Sequence, residues 1–192
     1  MIKAAATDRN LVVEILTRSF DRNQSVNYIV HQGDGRLKAI TALMAYSFDL
    51  CCLFGDVWLS EDRNACALVL YPHKKRVTVK SVWLDIRLII QAIGLANVAK
   101  VLDREKKIKN KQPQEPMAYL WFIGVDKHQQ NQGIGSRLLQ DVMDHAADQH
   151  LPVCLETSTL QNLPWYQKNG FEVYDELLLS YSLYFLRKKH LG

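Results

Sequence analysis

Met117-Ala118-Tyr119-Leu120-Trp121-Phe122-Ile123-Gly124-Val125, followed a short step later by Gln130-Asn131-Gln132-Gly133-Ile134-Gly135, is the stretch from which the fold can be read. The first run is apolar and aromatic with no helical polar face, which predicts a buried central strand. After the turn, Ile134, Leu138, Leu139, Val142, Met143 and Ala146 recur at helical spacing, while Asp141, Asp144 and Asp148 hold the other side. That pattern predicts an amphipathic helix with one face on a sheet.

A strand that ends in a glycine-bearing turn and feeds a helix leaves backbone N–H groups unpaired at the positive end of the helix dipole. Such a turn can bind phosphate. Gly133 and Gly135 lack a Cβ, so ligand oxygens can come close and positive φ costs little. An ordinary strand-to-helix connection with two convenient glycines fits the same residues. Neither G-x-x-x-x-G-K-[ST] nor G-x-G-x-x-G after the first strand is present, so a nucleotide triphosphatase and a dinucleotide oxidoreductase lack support.

What remains is Gln-x-x-Gly-x-Gly, carried by Gln130, Gly133 and Gly135 and preceded by Ile123-Gly124-Val125-Asp126. Here the sequence resembles the GNAT superfamily of acetyl-CoA-dependent N-acetyltransferases, whose pyrophosphate loop reads [RQ]-x-x-G-x-[GA] between a central strand and a helix. A second block agrees with it. Val153-Cys154-Leu155-Glu156-Thr157 reads as the next strand, and Tyr166 stands before Gly170-Phe171 at the spacing of the family's late motif. Together the two blocks cover roughly residues 117–175.

The resemblance implies a mixed α/β domain, a central, mostly antiparallel sheet flanked by helices, that binds acetyl-CoA through Ile123, Gly124, Val125, Gln130, Asn131, Gln132, Gly133, Ile134, Gly135 and Ser136. It implies acetyl transfer to a primary amine, of a small molecule or a peptide, with Tyr166 also touching the coenzyme. One departure stands out. Where many members carry an Asn seven residues before the Tyr, this chain has Thr159, and Asn162 lies only four before. Asn162 then reaches the coenzyme from a loop, ahead of a shorter helix starting near Pro164.

A chain of 192 residues is long enough for one sizeable core, and we expect a single domain over residues 1–192. With 48% hydrophobic and 23% charged residues the composition is that of a globular protein. A net charge of +4 suits a polyanionic ligand such as coenzyme A but falls short of a nucleic-acid binder's footprint, and no nucleic acid is expected. Cys51, Cys52, Cys66 and Cys154 lie in or beside apolar segments without metal-ligand spacing, so buried reduced thiols and no metal are expected. Together with the absence of a charged-then-apolar leader, this predicts a cytoplasmic enzyme.

In chain order, Met1 to Ala5 reads as a short first strand, and Thr7 or Asp8 can cap a helix carrying Leu11, Val12, Ile15, Leu16 and Phe20 on one face. A second helical region follows in two pieces, broken at Gly33-Asp34-Gly35. Residues 57–59 and 65–71 flank the polar turn Glu61-Asp62-Arg63-Asn64 and read as a hairpin. In the GNAT layout this region shapes the acceptor site, which makes Asn27, Tyr28, His31 and Trp58 candidate substrate contacts.

Residues 73–116 exceed a minimal GNAT domain and form a helical insertion before the central strand. From 82 to 99 the chain is mostly apolar, but Asp85, Arg87, Gln91 and Asn97 interrupt it. A membrane span wants about 20 predominantly apolar residues, so an amphipathic helix is predicted instead. Its apolar side could cover the sheet edge, line the acceptor pocket, form a homodimer contact or touch a membrane surface. Residues 100–111 hold six Lys or Arg against Asp103 and Glu105; such a run could grip phosphates of the coenzyme, an RNA or a lipid surface, and reads first as a solvated helix end.

Acetyl transfer from a thioester to an amine needs three groups. A free alkyl ammonium has a pKa of about 10, so roughly one molecule in a thousand is neutral at pH 7 and a base must take the proton. An oxygen that gains negative charge needs a donor, and the departing thiolate needs a proton. The resemblance gives the proton donor as Tyr166 and the oxyanion donor as a backbone N–H where the central strand bulges, near residues 123–125, with Gly124 easing the distortion. For the base, Glu156 on the next strand is the first candidate, Glu115 and His31 are others, and an ordered water could replace them. A non-catalytic acyl-CoA-binding module of the same fold is the alternative reading. A third, docking on membranes or RNA through residues 82–111, predicts salt-sensitive association.

Overall fold

The computed structural model describes residues 1–188. In chain order it contains β1 (Ile2–Lys3), α1 (Arg9–Phe20), α2 (Gln24–Ile29), α3 (Arg36–Phe54), β2 (Gly55–Leu59), β3 (Ala65–Leu70), α4 (Val79–Leu88) and α5 (Val98–Lys111). It continues with β4 (Ala118–Val125), α6 (Ile134–Asp148), β5 (Val153–Thr157), α7 (Leu163–Lys168), β6 (Glu172–Leu178) and β7 (Ser182–Lys188). The strands form one sheet in the order β1-β2-β3-β4-β5-β7-β6, antiparallel throughout except between β4 and β5. This is the mixed, mostly antiparallel sheet flanked by helices that the two motif blocks imply.

One face of the sheet is covered by α1 and α3, whose Leu16, Ile40, Met44 and Phe48 close over Leu59, Leu68 and Phe122. The other face is covered by α6, where Ile134, Leu138, Leu139, Val142, Met143 and Ala146 are all buried, as their spacing predicts. The length and composition of α3 would also let it cross a membrane, but half of its apolar window is buried inside the fold, where it packs on α1 and the sheet.

The junction of α3 and β2 demands a glycine for space. A Cβ on Gly55 would lie 2.0 Å from the Val69 carbonyl oxygen and 2.9 Å from the Leu70 Cα, both of them backbone atoms that cannot step aside. Gly55→Ala is therefore expected to destabilise the fold by about 3 kcal/mol, which in a chain of this size lowers the unfolding midpoint by roughly 6–12 °C in calorimetry. An unchanged midpoint would show that the α3–β2 junction relaxes.

Several expectations are corrected. Asp8 stands at the start of α1, but its carboxylate turns back to accept from the Ala5 N–H at 2.7 Å and to pair with Arg63, and neither it nor Thr7 caps the helix with its side chain. The insertion is helical, yet residues 82–99 are not one helix. Gly94 has φ +76°, a conformation that only glycine adopts at little cost, and the chain turns there by 101° between α4 with its extension and α5. The basic run in α5 is not merely a solvated end, because Arg104 is buried beside Val101 and Ile108. Three of the four thiols are buried and unpaired, but Cys52 is exposed.

Candidate active site

β4 and β5 pair only where they begin, at Ala118 with Val153 and Tyr119 with Cys154. Beyond that point they diverge, and a groove of ≈ 1890 Å³ opens between them. It runs from the turn before α6 to the inserted helices, and is lined by residues 119–125, Glu156 to Thr159, Asn162 and Tyr166. Pockets for drug-sized ligands measure about 300–1,000 Å³, so there is room for an extended ligand and a second reactant together.

At the turn, Asn131 has φ +62° and Gly133 φ +77°. Nothing lies within 4 Å of a Cβ placed on Gly133, so that glycine is required by its left-handed backbone. A Cβ on Gly135 would press within 3.1 Å of Val125 Cγ2. The first hydrogen bond of the α6 ladder runs from the Arg137 N–H to the Gly133 carbonyl at 3.0 Å, so the N–H groups of Ile134, Gly135 and Ser136 precede the ladder. They lie at the positive end of a 15-residue helix and open on the groove, where anionic oxygens are stabilised. Arg18, Arg22 and Lys127 line the same end.

Residues 86–173 match the family model described as Acetyltransferase (GNAT) domain. The fold is that of the GNAT acetyltransferases. A Corynebacterium glutamicum protein, described as histone acetyltransferase HPA2 and related acetyltransferase, superposes with a TM-score of 0.76 at 17% identity over 100% of this chain and 96% of its own. Arylalkylamine N-acetyltransferase 2 from Aedes aegypti gives 0.68 at 13% identity, over 98% and 97%. An N-acetyltransferase from Staphylococcus aureus gives 0.59 at 14%, over 97% and 98%.

Within this GNAT frame, Gly124 lets α1 approach the sheet, since a Cβ there would stand 3.0 Å from Leu16 Cδ2 and 3.2 Å from Ser19 Oγ. Ser19 in turn donates to the Val125 carbonyl at 3.1 Å. The distortion of the central strand falls elsewhere. Leu68 pairs with Phe122 and Val69 with Leu120, so Trp121 is the extra residue of a bulge, and Trp121 and Phe122 both pack against the α1 and α3 face. The irregularity is set by where the alternation of β4 slips, ahead of the expected 123–125.

Tyr166 is buried in α7, between Trp165 and Phe171 at ring separations of 4.7 and 5.6 Å. No protein group among the described residues hydrogen-bonds its hydroxyl, and the residue lines the groove. Burial pushes its phenol above the ordinary range, so it stays protonated at neutral pH. Trp165 Nε1 donates to Ser136 Oγ at 2.8 Å and so fixes α7 to the first turn of α6. Asn162 stands just before α7 and lines the groove, exposed; Pro164 lies in the first turn of that short helix.

Glu156, half-buried on β5, accepts a hydrogen bond from the Tyr119 hydroxyl and one from Gln112 Nε2 at 2.8 Å. Burial raises its carboxyl above the usual range, against the opposing pull of those two donors and of Arg104. Burial and the neighbouring Glu156 hold the Tyr119 phenol up as well. Behind them Arg104 donates through Nε to the Tyr181 hydroxyl at 2.9 Å and pairs with Glu105.

The four candidate acceptor contacts are not brought to the groove. The Asn27 carboxamide donates to the carbonyls of Asp21 and Asn23, both at 2.8 Å, and accepts from Arg36. Tyr28 packs on Tyr181 beneath the Lys100 ammonium, His31 ties its backbone to Ala92, and Trp58 lies on the opposite face of the sheet against His145. Of the other base candidates, Glu115 is exposed and paired with Arg187, and His31 does not line the groove. Residues the sequence did not single out line that part of the groove: Tyr46, Asp85, Glu105, Tyr119 and Trp121. One signal was legible, namely an arginine at position 104 on the apolar stripe of Val101 and Ile108, where a charge needs buried partners.

Proposed function

We propose that the protein transfers an acetyl group from acetyl-CoA to a primary amine, through direct attack in the groove between β4 and β5. The GNAT domain match supports acetyl transfer as the general activity. The observation that carries the finer reading is the sharing of one groove by the ladder-free N–H groups of α6, the unpartnered Tyr166 hydroxyl and the Tyr119–Glu156 pair.

Acetyl-CoA supplies an activated acetyl thioester. Gly133, Ile134, Gly135 and Ser136 would hold its pyrophosphate with backbone N–H groups, with Arg18, Arg22 and Lys127 close to the phosphates. Asn162 borders its path. Beyond Tyr119, β4 has no pairing with β5, so its edge offers backbone donors to an oxygen that gains charge. The Tyr119 hydroxyl is placed to take a proton from the amine while passing its own to Glu156, whose raised basicity suits that task. Tyr166 holds a proton at Oη for the departing sulfur.

Thermal unfolding with and without excess acetyl-CoA, with ATP and NAD as controls, tests the reading. At about 100 times its dissociation constant a ligand of the folded state adds roughly 2.7 kcal/mol, a shift of about 5–10 °C here. Gly133→Ala, which forces a Cβ into left-handed backbone at a cost of about 1–2 kcal/mol, is expected to lower the midpoint and to shrink that shift. No shift in the parent at saturation would overturn the proposed coenzyme.

A further inference from the structure

The groove is chemically two-ended. Opposite the cationic end at the turn, the inserted helices form an apolar wall in which Leu88 comes from α4, Ile89 from its continuation, and Leu102 from α5. Facing them is Trp121 of β4, with Tyr46 of α3 edge-on to it at 6.1 Å between ring centroids. Two features of the backbone build this chamber. The bulge keeps Trp121 on the same face as Phe122, and the turn at Gly94 brings both arms of the insertion back to the groove.

Carboxylates and cations both line this end. Asp85 accepts from the Tyr46 hydroxyl at 2.8 Å and has no ion-pair partner among the described residues. Glu105 pairs with Arg104, and Glu156 is held by Tyr119 and Gln112. Asp85 and Glu105 are exposed, as are the cations Lys75, Arg76 and Lys109 that border this end, while Arg104 is buried.

We infer that the acceptor is a primary amine carried on a bulky apolar or aromatic body, its nitrogen at Tyr119 and its body between Trp121 and the inserted helices. The inference rests on the reading of the groove as an acetyl-transfer site. An apolar body leaves water for the Leu88, Ile89 and Leu102 wall, which rewards apolar area. The Trp121 and Tyr46 rings favour a nearby cation. A polyamine satisfies the carboxylates but leaves the apolar wall in water.

The test compares 2-phenylethylamine and spermidine as acceptors, following free-thiol release. We expect kcat/KM for 2-phenylethylamine to exceed that for spermidine by about 10-fold or more, the scale on which apolar pockets discriminate. Leu102 is 64% exposed, so Leu102→Ser should fold normally. It should lower kcat/KM for 2-phenylethylamine by about 10-fold and leave the acetyl-CoA thermal shift unchanged. Equal or better use of spermidine, or no effect of Leu102→Ser on the ratio of the two amines, overturns the inference. Quenching of tryptophan fluorescence by the amines without acetyl-CoA separates the two readings. Saturable quenching by 2-phenylethylamine with no coenzyme binding supports the chamber and sinks the transfer reading. Coenzyme binding with neither turnover nor quenching by that amine sinks the inference alone.

Discussion

Tyr166→Phe is expected to lower kcat by about 100-fold or more while the acetyl-CoA thermal shift stays close to the parent's. The substitution removes one hydroxyl that has no partner among the described residues, so no buried group is left unsatisfied when it goes. The ring keeps its contacts with Trp165 and Phe171, and the Trp165–Ser136 bond that ties α7 to the first turn of α6 is untouched. Loss must then come from the missing proton at Oη. Single-turnover measurements should place it in the chemical step, with KM for acetyl-CoA little altered. Unchanged turnover would remove Tyr166 as general acid and leave it a packed aromatic; absence of turnover in the parent with every amine tried would favour a binding module.

Glu156→Gln should lower kcat by about 100-fold and remove the acid limb of the pH–rate profile. The base works ionised, so activity in the parent falls as the pH drops through the raised Glu156 value. The carboxamide that replaces the carboxylate can still accept from Tyr119, so the groove keeps its shape but has nowhere to put the proton. The stability readout has the opposite sign from that of a typical ion-paired carboxylate. Because the folded value is raised, the folded state binds this proton more tightly than the unfolded chain, whose value is near 4.5. Between those two values the parent loses stability as pH rises, and the loss is complete above the folded value. Glu156→Gln lacks that dependence, so relative to the parent its unfolding midpoint should improve as pH increases through the window. A variant whose acid limb and stability profile both match the parent's would show that Glu156 neither carries the proton nor feels its burial. Tyr119→Phe should reproduce the kinetic loss if the proton passes through the phenol.

Much of the fold follows from local pattern. The apolar run of β4, the helical spacing of α6 and the left-handed glycine between them are set by alternation, period and backbone sterics, which act within a dozen or so residues. Tyr166 and Asn162 reach the groove because α7 follows directly on the loop leaving β5. The hairpin of β6 and β7 is not legible in the same way, since Glu172, Asp175 and Glu176 break the apolar alternation of β6, an edge strand with much of its surface exposed.

By itself the sequence determined the turn before α6, its strand and its helix, because these depend on residues adjacent in the chain. Only the tertiary structure decided what lines the groove beside the insertion. Asn27, Tyr28, His31 and Trp58 are plausible by position, yet their partners Arg36, Tyr181, Ala92 and His145 come from other elements. The groove joins Tyr46, Asp85, Glu105, Tyr119, Trp121 and Glu156 from five different elements. A bulge at Trp121 and a turn at Gly94 aim those side chains. Register slips and chain reversals of this kind are fixed by which packing buries the most apolar surface, a property of the whole fold that no single stretch encodes.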